Sequence, residues 1–153
     1  FAFEAFLPSD KKERREVLEE LKDETRTIVI YEAPHRLVRT LEELLETLGD
    51  RQVSVCRELT KKHETVCQAT LEEACAYYRA HEPRGECVLV IRGRSREELR
   101  RESQRKWEEL SLEEHMRDYA DQGADRKEAM KRVAKDRGIS RREVYQYFLE
   151  RRG

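Results

Sequence analysis

At 153 residues the chain is long enough for one good core or two small ones and too short for a large enzyme. A charged fraction of 42% against a hydrophobic fraction of 37% excludes a single compact core through the whole length, because that much charge needs exposed surface. Lys plus Arg (32) nearly cancels Asp plus Glu (33), but unevenly: residues 1–93 carry a net −4, residues 94–125 a net −3 and residues 126–153 a net +6.

Cys56, Cys67, Cys75 and Cys87 match no CxxC spacing and lie in apolar segments, so they are expected to be reduced thiols, with no metal site. No apolar run approaches the ~20 residues that cross a bilayer, and no signal-peptide pattern is present, which points to a cytoplasmic protein without a membrane partner. The chain opens at Phe1 in a strand pattern and is expected to be a fragment of a longer protein.

Phe1 to Leu7 alternates as a strand ended by Pro8, and Ser9 and Asp10 offer caps for an amphipathic helix whose apolar stripe is Val17, Leu18 and Leu21. Thr27 to Tyr31 is β-branched and aromatic, hence a second strand. Pro34 suits a helix start, and Leu37, Leu41, Leu44, Leu45 and Leu48 follow at helical spacing up to Gly49. Strands are expected at 52–56 and 65–70, a short helix at 71–80, and a central strand in Cys87 to Ile91 before Gly93. The sheet is expected to have five strands, mostly antiparallel.

Residues 94–110 have little that is apolar besides Leu99, Trp107 and Leu110, and are expected to form a charged linker helix. Residues 111–153 read as an all-α tail. Ser111 with Glu114, and Ser140 with Glu143, make capping boxes, and Asp125 caps the helix between them. Gly138-Ile139-Ser140 is a tight turn, and Ala134, Ile139 and Val144 are spaced to pack at a helix-turn-helix crossing.

The stretch Cys56-Arg-Glu-Leu-Thr-Lys-Lys-His-Glu-Thr65 concentrates Arg57, Glu58, Lys61, Lys62, His63 and Glu64 at a strand end. Such charge must pair, bind something, or face water as a solvated hairpin tip, and residue types alone leave these open. Arg132, Arg141 and Arg142 belong to a basic tail whose excess charge suits phosphates, or else an exposed helical face with i,i+4 pairs.

Four segments then occur in order: Phe3-Glu-Ala-Phe-Leu-Pro8, Tyr31-Glu-Ala-Pro-His-Arg36, Arg57-Glu-Leu-Thr-Lys-Lys-His-Glu64, and Gly85-Glu86 before an apolar strand. Together they resemble the C-terminal half of the bacterial small-subunit ribosomal RNA ribose methyltransferases, a branch of the tetrapyrrole methylase fold family that uses S-adenosylmethionine. Ala5 stands where that family usually has Gly. The resemblance implies the family's C-terminal α/β domain over residues 1–93, a cofactor edge at Tyr31, Glu32 and Ala33, and 2'-O-methylation of a cytidine. It implies catalytic roles for Glu58 and Lys61, and RNA contacts from Arg36, Arg57, His63, Glu64, Arg132, Arg141 and Arg142. The family's N-terminal cofactor loops are not in this chain, so it is expected to need that missing domain, to act as a homodimer on small-subunit RNA, and to be inactive alone. A nucleic-acid-binding module with no catalysis of its own, and a small-molecule methylase of the same fold, are the competing readings.

Overall fold

The computed structural model describes residues 1–151, and the chain divides into two compact units, Phe1–Ser95 and Arg96–Gly153. The first unit runs β1 (Ala2–Phe6), α1 (Lys11–Leu21), β2 (Ile28–Glu32), a short 3-10 turn (Pro34–Arg36), α2 (Leu37–Leu48), β3 (Gln52–Arg57), β4 (Thr65–Thr70), α3 (Leu71–Ala80) and β5 (Cys87–Ile91). Its five strands form one sheet in the order β1-β2-β5-β3-β4. Only β1 and β2 pair in parallel, because α1 supplies the crossover that a parallel pair requires. The remaining pairings are antiparallel, as expected, and β5 is central.

Two of this unit's helices, α1 and α3, begin where a side chain satisfies free backbone donors, whereas α2 continues from the Pro34–Arg36 turn without a side-chain cap. Asp10 accepts from the N–H groups of Lys12 and Glu13, and Thr70 forms a capping box with Glu73 that starts α3. All three helices cover one sheet face. Ile28, Ile30, Val53, Val55, Leu89 and Ile91 point into that layer and meet Leu18, Leu41, Leu44 and Leu71 in one buried cluster. The registry Phe6↔Tyr31↔Val88↔Cys56↔Val66 runs across the other face, which no helix of this unit covers. Phe6 and Val66 there are 52% and 53% exposed.

The second unit contains α4 (Arg96–Glu108), α5 (Leu112–Asp121), α6 (Arg126–Arg137) and α7 (Arg141–Glu150). Val133, Ala134 and Val144 form its buried centre, with Ile139, Met130 and Phe148 packed around it, so α6 and α7 meet as a helix-turn-helix pattern. Gly138 closes α6 at φ +66, a left-handed conformation that suits glycine, and Gln104 lies where a Cβ would project.

The charged stretch expected as a linker is helical, but it packs within this unit. The Trp107 ring stacks on His115 at 4.0 Å and 7° between planes. One aromatic is enough to anchor a helix with no buried residue, because its partner is a fully buried imidazole. His115 Nδ1 accepts from Arg137 Nε at 3.0 Å, which places the ring proton on Nε2, 3.2 Å from Asp136 Oδ2. The same Asp136 oxygen accepts from the Tyr119 hydroxyl, and that bond, with burial, pushes Tyr119 up to about 12.

Burial holds the His115 pKa below its ordinary 6.5, with Asp136 opposing and Arg137 reinforcing the shift. The unfolded chain therefore takes up the proton first as pH falls, so this contribution to stability is intact above about 6.5 and is lost as pH drops through that value. Urea unfolding followed by the fluorescence of Trp107, the chain's one tryptophan, is expected to show a midpoint steady above about pH 7 and falling below 6.5. His115→Gln is expected to flatten that dependence.

Candidate functional site

The C-terminal ends of β1, β2 and β3 and the N-terminal end of β5 lie at one end of the sheet, which follows from the register Phe6↔Tyr31 and Glu32↔Cys87↔Arg57. All four motif segments therefore meet there, although they span Phe3 to Glu86 in sequence. Among the described residues, the non-glycine positions with left-handed backbone are Ala5 (φ 49), Glu58 (φ 51) and Thr60 (φ 65), and all three belong to these segments. Such conformations cost an L-residue about 1–2 kcal/mol each and collect where a chain is shaped for a task. Ala5 sits at a register shift in β1, which explains why glycine is the ordinary choice in the motif it resembles.

Glu32 points inward from the last position of β2 and is 2% exposed. Its Oε1 accepts from the Ala33 N–H at 2.8 Å, and its Oε2 accepts from the Thr40 hydroxyl at 2.6 Å. Arg14 Nη2 donates to the Thr40 hydroxyl oxygen at 2.7 Å and lies 3.9 Å from Glu32, while Arg14 Nε donates to Glu43 at 2.6 Å. The Glu32 carboxylate is thus occupied within the protein, where it fixes the backbone at Ala33, extended at φ −75 and ψ 146. Arg14, Thr40 and Glu43 were not singled out from sequence. The available signal was a polar residue on each apolar stripe: Arg14 precedes Leu18 and Leu21 at helical spacing, and Thr40 sits among Leu37, Leu41 and Leu44.

Tyr31 points to the opposite, open face, where Phe3 and Phe6 meet its ring edge-on at 5.1 and 5.8 Å. Arg36 Nε is 3.2 Å from Glu32 Oε1 but poorly aimed, and it is a buried donor without a hydrogen-bond partner among the described residues. Arg57 Nε is a second such donor, on the inner face beside Cys87. Two unsatisfied guanidinium donors at one end of a sheet are costly unless an acceptor arrives.

Glu58 turns back over Gly85, with Oε1 in the space a Cβ would need, and its Oε2 lies 3.2 Å from Lys61 Nζ. Its backbone N–H donates to Glu86 O at 3.4 Å, tying this loop to the start of β5. Glu64 accepts from the Thr60 N–H at 2.8 Å, and His63 is exposed. Burial pushes the Cys87 thiol up to about 11, with Arg57 opposing and Glu32 and Glu58 adding, so it is protonated and a poor nucleophile at neutral pH. Arg132, Arg141 and Arg142 belong to the second unit. Arg132 pairs with Glu128 at 3.1 Å, and Arg141 and Arg142 stand exposed in the first turn of α7.

This end of the sheet is thus a rim of backbone turns, aromatic edges and cations around a buried carboxylate, suited to holding a polar or anionic ligand. A family model described as Tetrapyrrole (Corrin/Porphyrin) Methylases matches residues 1–75. Over those residues the first unit is similar to that family. More particularly, the chain is similar to proteins named Ribosomal RNA small subunit methyltransferase I. It is 46% identical to that of Bacillus subtilis over 95% of this chain and 49% of the relative. It is 43% identical to that of Halalkalibacterium halodurans over 97% and 50%, and 34% identical to that of Escherichia coli O157:H7 over 100% and 52%. The chain spans about half the length of the curated relatives it matches.

Glu32→Ala is expected to cost about 1–3 kcal/mol, because it leaves the buried Thr40 hydroxyl and the Ala33 N–H without their acceptor and removes one of the two carboxylates beside Arg14. Chemical denaturation measures it, and Tyr31→Phe is the control expected to change little. Gly85→Ala, at φ +74 and against the Glu58 carboxylate, is expected to destabilise by about 1–3 kcal/mol and to displace the Glu58–Lys61 pair, seen as altered amide shifts at residues 58–64 by NMR.

Proposed function

We propose that the chain is the C-terminal part of an S-adenosylmethionine-dependent methyltransferase that modifies the 2'-oxygen of a cytidine ribose in small-subunit ribosomal RNA. The observation that carries this reading is the convergence of the four motif segments, with their strained backbone and unsatisfied arginine donors, on one end of the sheet. The names of the relatives point to the same substrate class.

The residues fit the cofactor in kind. Tyr31 offers an aromatic ring that is 39% exposed, and Ala33 offers extended backbone held by Glu32, which together suit an adenosine. When bound, S-adenosylmethionine supplies an electrophilic methyl group. The protein's share is alignment of the ribose hydroxyl and removal of its proton. Glu58 accepts that proton in this reading, and Lys61, 3.2 Å from its carboxylate, stabilises the negative charge developing on the ribose oxygen. Arg36, whose side chain is 39% exposed, and the half-buried Arg57 turn the outer part of their guanidinium groups to RNA phosphates, while His63 and Glu64 contact the adjoining nucleotide. Arg132, Arg141 and Arg142 add sequence-indifferent phosphate contacts. The exposed Arg132–Glu128 pair is worth little and exchanges readily for a phosphate.

The partners in this reading are the RNA, an N-terminal domain that accounts for the relatives' greater length, and a second copy in a homodimer. The open apolar sheet face is surface that such association would cover. The chain alone is inactive, and the longer protein works in the cytoplasm, where ribosomal RNA is. No helix among the described residues is long and apolar enough to cross a membrane.

The test is methyl transfer by the longer protein to small-subunit RNA, with the product nucleoside identified by mass spectrometry. Glu58→Gln is expected to lower kcat by on the order of 10²-fold, and Arg57→Ala and Lys61→Ala to lower kcat/KM by at least about tenfold, with melting temperatures little changed. Methylation on a base, or full activity in all three variants, contradicts the proposal.

A further inference from the structure

The second unit carries a cleft of about 510 Å³ between α5, the start of α6 and the end of α7, within the ~300–1,000 Å³ range of small-ligand pockets. Its floor is apolar. Met116 and Phe148 reach it from the partly buried shell of the unit's core, beside Ala120 and the buried Ala129. Its rim is cationic, with guanidinium groups from Arg117, Arg126 and Arg151. The one carboxylate on the rim, Glu113, is already satisfied: the Tyr147 hydroxyl bonds it at 2.9 Å, and Arg151 pairs with it while stacking 4.4 Å over the Tyr147 ring. Its own helix-start backbone N–H, together with those two bonds and against some desolvation, holds the Glu113 pKa below the usual carboxylate range, so it stays ionised and paired. The exposed Arg117 and Arg126 are left to face a ligand.

An apolar floor with an aromatic ring under a cationic rim suits a flat, partly apolar anion. We propose that this cleft binds one unpaired nucleotide of single-stranded RNA, its base lying against Phe148 and Met116 and its flanking phosphates meeting Arg117 and Arg126. Unpaired bases can be splayed onto such a surface, whereas paired bases are already stacked and leave the floor without a partner. The cleft therefore discriminates single strands from duplex. Arg141 and Arg142, at the opposite end of α7, contact backbone of either kind. This site rests on the RNA reading above, but it concerns a different surface from the sheet end and is tested apart from methylation.

The experiment is fluorescence anisotropy with the full 153-residue chain, a labelled ten-nucleotide single-stranded RNA and a labelled blunt-ended RNA duplex without a loop, titrated across salt concentrations. Phe148→Leu keeps an apolar side chain in the core and is expected to weaken single-strand binding roughly 5- to 100-fold, with duplex binding changed less than about twofold. The Arg117→Ala, Arg126→Ala double variant alters exposed positions only, so the fold survives, and it is expected to reduce the single-strand log–log salt slope by about 1.4. Ultraviolet cross-linking mapped by mass spectrometry is expected to mark peptides holding Met116 or Phe148. Equal losses for single strand and duplex, unchanged binding in both variants, competition by an acidic peptide but not by RNA, or no RNA binding at all would each overturn the site. Ribose methylation by the longer protein would stand in every one of those cases.

Discussion

The first unit depends on a charge placed where charge is expensive. Arg14 and Glu32 are 7% and 2% exposed, and the Thr40 hydroxyl relays between them. Removing one member leaves the buried Thr40 hydroxyl or the Glu32 carboxylate short of a partner, so the three hold α1, α2 and the end of β2 in one arrangement. An apolar trio would pack as well, but it would not aim a carboxylate at the Ala33 N–H. The extended turn that leads into Pro34 is the product of that network, and the proposed cofactor edge is built on it.

At the same end of the sheet the backbone departs from easy conformations. Ala5, Glu58 and Thr60 have positive φ, and Gly85 permits the Glu58 side chain to fold across it. These features act together: the tight turn after β3 brings Lys61 back to Glu58, and the missing Cβ of Gly85 gives the carboxylate somewhere to lie. The regular strands behind them, with fully buried Ile30, Val55 and Leu89, supply the rigidity against which such strain persists.

The second unit solves a different problem with similar means. It has few apolar residues to bury, and it centres on Val133, Ala134 and Val144. A stacked Trp107–His115–Tyr119 column, with Asp136 and Arg137 bonded to the imidazole, extends that small core with polar contacts that are satisfied. Much of its remaining charge stays outside, Arg117, Arg126, Arg141 and Arg142 included.

The sequence by itself determined the elements, because their signals are local. The continuous apolar run in 87–91, leucine spacing in 37–48, the capping boxes at Ser111 and Ser140, and Gly138 each act within a few residues. It also brought forward the charged stretch at 57–64, since six ionisable side chains at a strand end are visible without coordinates. Only the tertiary structure decided which way each of them turns. Tyr31 and Glu32 are neighbours in the motif, yet alternation along a strand sends one to the open face and the other into a buried network with residues 18 positions before and 8 after it. Trp107 looked like an isolated aromatic in a linker until its partner, eight residues on, was placed beneath it. The cleft at Phe148 had no sequence signature, because a concavity is made by helices from different parts of the chain, and no local pattern records where their side chains leave space.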